Sequence, residues 1–408
     1  MQKNNLENSD LVKGLIFLTL SFFVACVEPY EPATENFESA LVVEGMITSK
    51  LKNQEIKLSQ TYTLEEDTIS YVNGAQVEVF SNRGESFDFR NTGNGIYRSV
   101  NPFRAEEGVG YRLEIQVNGK WYKSDEEKIT GETNLDNVSA QRELNENGEL
   151  GVAIFANTNE AVDGSKFYRY TYEETYKIVS PYSSGQKFII NQNGFAILVD
   201  VPEGEERKTC YNTVSSRKGI LNNRTYLNSD EQDVLIKFLK TDNKKILHRY
   251  SILVKQHVIS SEAYRYFETL DELSNSESIF SQNQPGFLAG NIFEVDKPDT
   301  KVIGYFEVAN EAEKRIFFNF DDLFSPEEKP DPSEDCAISA PERGLGYEPG
   351  DIDYYVASGQ LQYLRPAPPS NDPMNPTGPY DMVSTECIDC KVLGTPEKPE
   401  FWIDDEDQ

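Results

Sequence analysis

The sequence predicts a mainly β protein: a seven-stranded, Ig-like or prealbumin-like β-sandwich followed by a larger β-rich domain with one amphipathic helix and long, disulfide-tied loops. Three observations carry this. Short apolar/polar runs follow one another at close intervals between residues 40 and 124, separated by Gly and Asn turns. Aromatic residues are abundant, with 22 Tyr and 23 Phe among 408 residues, a bias that suits half-buried strands. Only one segment, "SSEAYRYFETLDELS", changes to a helical period.

The chain begins with a charged stretch and a short apolar run, "GLIFLTLSFFVAC". From Gly14 to Ala25 it is too short for a bilayer span, which needs roughly 20 apolar residues. It has the length of the apolar centre of a secretory signal. Lys3 and Lys13 give the positive flank, diluted by Glu7 and Asp10. Phe23-Val24-Ala25-Cys26 resembles a bacterial lipobox, with Phe23 in place of the usual Leu. Residues 1–25 are therefore expected to be a lipoprotein signal peptide and Cys26 the lipidated residue. An ordinary signal peptide with an incidental Cys is the alternative. Residues 26–39, rich in Pro and Glu, read as a tether.

The sandwich is placed at residues 40–130. Its seven runs are "ALVVEGMIT", "QEIKLSQTYT", "GAQVEVF", "ESFDFR", "GIYRSV", "YRLEIQV" and "KWYKSD". Asn118-Gly119 between the last two is a strong two-residue hairpin signal. The pattern breaks at "ITGETNLDNVSA", and residues 131–408 form the second domain. Its strand signals are "GELGVAIFAN", "KFYRYTYEETYKIV", "ILHRYSILVKQHVIS", "KVIGYFEV" and "KRIFFNF". At the helix, Ser260 or Ser261 can cap the exposed amides and Glu262 suits the positive end of the dipole, while Ala263, Phe267 and Leu270 recur on one face. From Ser325 the chain is dense in Pro, Gly and Asp, and long loops are expected.

Four cysteines remain besides Cys26: Cys210, Cys336, Cys387 and Cys390. An even number in an exported chain points to two disulfides, with three pairings open. "CIDC" at 387–390 could also form a redox pair or part of a zinc site. The turn-rich "LGTPEKPEFW" that follows does not fit a redox helix.

The net charge of −30 disfavours nucleic acid and anionic headgroups as partners. Only two histidines occur, His248 and His257, read as lying on one strand with side chains on opposite faces. No nucleophile elbow, zinc-protease motif, P-loop or dinucleotide fingerprint is present, and no cofactor is expected. The pairs Asp351/Asp353 and Asp321/Asp322 were weighed as calcium ligands, but no segment matches a calcium loop. "DTI" at Asp67 to Ile69 resembles a short O-glycosylation signal.

Together, the lipobox with "CVEPYEP", then "LVVEGMIT", "NGAQVEVF", "GIYRS", "KFYRYTYEETY", "VKQHVISSEAYRYFETL", "QPGFLAGNI", "VIGYFEV" and "CIDCKVLGTPEKPEFW" resemble domain-of-unknown-function family 4249, lipoproteins of the Bacteroidota envelope. The resemblance implies an outer-membrane lipoprotein, often encoded near a TonB-dependent receptor, and supplies no catalytic residues. The function it points to is a non-enzymatic accessory or binding partner of such a receptor or of another envelope complex. The alternatives are a structural or adhesive surface protein and, more distantly, a polymer-degrading hydrolase. No small-molecule ligand is specified.

Overall fold

The computed structural model describes residues 39–61, 69–132, 135–157, 166–225, 233–275, 288–342, 350–369 and 378–404. Cys26, the signal and most of the tether lie outside the described residues, as do Asp67 and Thr68. The fold is mainly β, with two α-helices among the described residues.

The N-terminal half contains β1 (Leu41–Thr48), β2 (Glu55–Gln60), β3 (Ser70–Tyr71), β4 (Gln76–Ser81), β5 (Ser86–Gly93), β6 (Ile96–Ser99), β7 (Gly110–Val117), β8 (Lys120–Ser124) and β9 (Glu127–Lys128). Asn118 and Gly119 both have positive φ, at 51° and 75°, and Val117 pairs with Lys120. That is the geometry a two-residue hairpin needs to match strand twist. Alternate residues of each strand enter one core: Val43 and Ile47, Ile56 and Leu58, Val77 and Val79, Leu113 and Ile115. The side-chain period of two produces this directly from the alternating sequence.

The second half contributes β10 (Asn137–Leu144), β11 (Leu150–Asn157), β12 (Phe167–Val179), β13 (Gln186–Ile190), β14 (Ala196–Asp200), β15 (Thr209–Ser215), β16 (Ile220–Asn223), β17 (Asp233–Lys240) and β18 (Tyr250–Val258). After α1 (Ser261–Asn275) come β19 (Ile292–Glu294) and β20 (Val302–Phe318), then α2 (Asp351–Ala357), β21 (Leu361–Pro366) and β22 (Tyr380–Ser384). The large sheet runs in the order β15-β12-β18-β20-β1-β2-β6-β5-β4-β7-β8-β19, and β10-β11-β17 form a separate sheet.

β20 joins the two halves. Val302 to Ala309 pair parallel with β1, and Asn310 to Phe318 pair antiparallel with β18. Val302, Phe306 and Val308 therefore fill the N-terminal core, while Phe318 belongs to the second. The second core lies between β12-β18-β20 and β10-β11-β17, with Tyr168, Tyr170, Ile252 and Val254 facing Val152, Ile154 and Ile236. The aromatic run of β12 is thus explained by alternation: tyrosines point into this core, and Arg169, Thr171 and Glu173 point away from it.

α1 starts where the sequence places it. The Ser260 hydroxyl accepts from Ala263 N at 3.1 Å, which makes Ser260 the cap. Its buried face is Ala263, Tyr264 and Tyr266, with Phe267 packed alongside. Leu270, expected on that face, is 37% exposed, and none of the helix side chains described after Phe267 is buried.

Two expectations need correction. His248 does not lie on a strand: a short 3-10 turn at Lys244–Ile246 precedes it, and β18 begins at Tyr250. The tail after Ser325 is not loops alone. It holds α2 and the β21–β22 hairpin, which pair off with β13–β14 around Phe188, Ile352, Tyr363 and Met382. Two disulfides fasten this cap. Cys210 bridges to Cys390 and Cys336 to Cys387, so the two cysteines of "CIDC" pair elsewhere rather than with each other.

Candidate functional site at the junction

Where β20 passes between the halves, its outward residues Tyr305, Glu307 and Glu311 share one face, being separated by two and four positions. Each meets a partner from a distant part of the chain. Arg169 of β12 forms an ion pair with Glu307, which is 3% exposed. The second carboxylate oxygen of Glu307 has no hydrogen-bond partner among the described residues. The Tyr305 hydroxyl donates to Glu127 Oε1 at 2.7 Å, and Asn291 Nδ2 donates to the same oxygen at 3.1 Å. Asn291 also clasps the β20 backbone, accepting from Phe306 N at 2.8 Å and donating to Phe306 O at 2.9 Å.

Glu311 is held by Lys52 at 2.7 Å and lies 3.4 Å from His257 Nε2. α1 roofs the Glu307 end. The Arg169 guanidinium stacks on the Phe267 ring at 4.2 Å, and Tyr266 packs on Tyr305. Gly290 passes so close beneath that a Cβ there would meet Gly304 O at 1.7 Å, so no other residue fits.

Burial sets the protonation of these groups. It pushes the Glu307 carboxyl up to about 7, with the Glu127 carboxylate adding to the push and Arg169 opposing both. Burial also raises Glu127, against the hydrogen bonds from Tyr305 and Asn291. At Glu311 burial pushes upward too, but His257 and Lys52 outweigh it and hold the carboxyl below the usual range. Burial depresses His257 despite Glu311 beside it.

Two carboxyls with raised pKa are the kind of pair that acid–base chemistry uses. Here Glu307 is buried and Glu127 half-buried, and none of these residues lines the open cleft of about 280 Å³ formed by Ser49, Arg104, Glu106, Ile129, Glu132 and Asn310. Sequence reasoning missed the cluster because Arg169, Glu127 and Glu307 are scattered along the chain; the only signal was one carboxylate, Glu307, within the otherwise apolar run from Val302 to Ala309.

Two of the four calcium candidates bond to the backbone, and a third forms an ion pair. Asp353 accepts from Ala196 N at 2.6 Å and Gly350 N at 2.7 Å, Asp322 accepts from Asn319 N at 2.7 Å, and Asp321 pairs with Lys329. Among the described residues no group of three or more His, Cys, Asp or Glu side chains could hold a metal ion. No helix among them is long and apolar enough to cross a membrane.

Two β-cores sharing one strand, a helix-roofed polar junction and a cystine-fastened cap define a β-sandwich-like, disulfide-bonded protein. The chain belongs to the family described as "Domain of unknown function (DUF4249)", whose model matches residues 27–315. The match takes in the junction cluster and ends within β20, so α2, β21, β22 and three of the four bridging cysteines lie beyond it. No curated protein matches the chain.

Proposed function

We propose that this protein is an outer-membrane lipoprotein, anchored through Cys26, that acts without chemistry of its own as an accessory subunit of an outer-membrane protein, with a TonB-dependent receptor as the expected partner. The short apolar run ending in Ala25-Cys26 supports the anchor. The two disulfides support export, since such bonds persist in oxidising compartments.

The observation that carries the docking role is the β13–β14 hairpin. Its inner face packs on the cap core, whereas Ile189 and Ile197, directly opposite each other, stand 41% and 37% exposed, and Ile190 beside them is 37% exposed. Single exposed apolar residues are ordinary; a cross-strand apolar pair at a hairpin is less so. The hairpin also sits far from the tether. The described chain starts at Ser39, beside the Val302 end of β20, and the cap lies beyond the Phe318 end. Seventeen strand residues separate those ends, about 50 Å at the usual rise. A lipid tether at one end leaves the hairpin free to meet a protein confined to the same membrane, whose effective concentration is raised by that confinement.

Affinity purification from native membranes in mild detergent is expected to recover an outer-membrane protein, and Ile189→Lys/Ile197→Lys is expected to lose it while remaining folded. Recovery of nothing above background ends the docking reading. The anchor is tested separately: intact mass of the native protein should show added acyl mass on Cys26, and Cys26→Ser should leave the chain unprocessed or released from the membrane. An unmodified terminus at another residue would sink the lipoprotein assignment.

A further inference from the structure

We infer that the junction between the two cores is a proton-operated latch: Glu307, sealed beneath α1 beside Arg169 and Glu127, holds a proton when the helix is seated and gives it up when the helix lifts.

The geometry leaves Glu307 half-satisfied. One oxygen has Arg169; the other is buried with no partner among the described residues. A buried charge so placed is costly, and protonation removes the cost. Arg169 offsets that cost only in part, since burial outweighs it. Every element packed here bears on the balance. β9 brings Glu127, which opposes a second negative charge. α1 brings Glu262, whose charge reaches Glu127 and Tyr305, together with the apolar Phe267 and Tyr266 that exclude water. β18 brings His257, and β20 itself brings Glu311, with Lys52 bonded to it.

In the latch, α1 is the moving part. It rests on this face through Ala263, Tyr264, Tyr266 and Phe267, and the stacking of Phe267 on Arg169 ties the helix to the guanidinium beside Glu307. Lifting it would hydrate Glu307 and return its carboxyl to the ordinary value of 4.5, from about 7 when covered. The sign follows from that difference. The seated state binds the proton more tightly, so acid favours it. Its extra stability is fully present below 4.5, is lost as pH rises from there to about 7, and changes no further above. Within that window each pH unit alters the opening equilibrium about tenfold.

Amide exchange of Ser261–Asn275 in the full chain, corrected for intrinsic rates, tests this between pH 5 and 8. His257 and Glu311 titrate with the opposite sign, so the reading is the ratio of opening constants, wild type over Glu307→Gln. That ratio is expected to rise about 40-fold from pH 5 to 7, and about 70-fold by pH 8 as it levels off. A ratio that stays flat overturns the latch. If Glu307→Gln does not fold, the carbon-13 titration of the Glu307 carboxyl in wild type decides: a midpoint near 7 that falls in Glu127→Gln supports the latch, and one between 4 and 5 overturns it.

Discussion

Replacing Cys210 and Cys390 with alanine is expected to cost about 5 kcal/mol of stability, and replacing Cys336 and Cys387 about 4. The figures come from the loops the bridges close, 180 and 51 residues in sequence separation, because a crosslink acts mainly by restricting the unfolded chain. The first bridge also has a local consequence. It pins the tail to β15, where Cys390 N donates to Arg207 O at 2.8 Å and Arg207 pairs with Asp389 at 2.8 Å. Tyr211 exchanges backbone bonds with Thr395, and Trp402 packs edge-on against Tyr211 and Phe317. Denaturant titration of each double variant, with amide exchange of residues 378–404, separates the two effects. A loss below about 1 kcal/mol for Cys210→Ala/Cys390→Ala would mean that these contacts hold the tail unaided and that the unfolded-chain argument fails here. In unreduced, denatured protein no free thiol is expected at any of the four positions.

How much of this was legible in the sequence varies by element. The β7–β8 hairpin and the start of α1 were, because Asn118-Gly119 and Ser260 act locally: one supplies two positive-φ residues, the other a hydroxyl for a free amide. β20 read as two strands, "KVIGYFEV" and "KRIFFNF". The intervening Asn310, Glu311, Ala312 and Glu313 look like a loop, yet the strand continues through them while its partner changes from β1 to β18. Nothing local encodes a change of partner. The cysteine pairing was equally hidden, since Cys387 and Cys390 are close in sequence but lie on successive 3-10 turns with separate partners. Of the candidate site, only His257 and Glu307, each within a strand-like run, could be read; Glu311 falls in the apparent loop. Their partners Arg169, Glu127 and Lys52 arrive through the fold.

The second large effect is expected at Glu174, the one outlier in the tyrosine face of β12. It is 1% exposed and accepts from Lys245 Nζ at 2.7 Å, Tyr250 Oη at 2.6 Å and Lys237 Nζ at 2.9 Å. Burial pushes its carboxyl up, but the three donors together outweigh this and hold it below the usual range. Lys237, raised in turn by Tyr172 and Glu174 against its own burial, stays charged. Glu174→Ala strands that ammonium in the core beside an unpaired Tyr250 hydroxyl, and should cost about 3–5 kcal/mol. Glu174→Met combined with Lys237→Met should recover most of the loss, because a buried pair seldom outperforms apolar residues of the same volume; Lys245, with 31% of its side chain exposed, can turn to water. Full destabilisation in that double variant would mean that the charges themselves hold β12 to β17. The pH dependence has a fixed sign. A depressed carboxyl contributes stability above 4.5 that disappears as pH falls, so Glu174→Gln should be less sensitive to acid than the wild type when denaturant midpoints are followed from pH 6 to pH 3. An unchanged slope would mean that Glu174 does not carry its charge in the folded core.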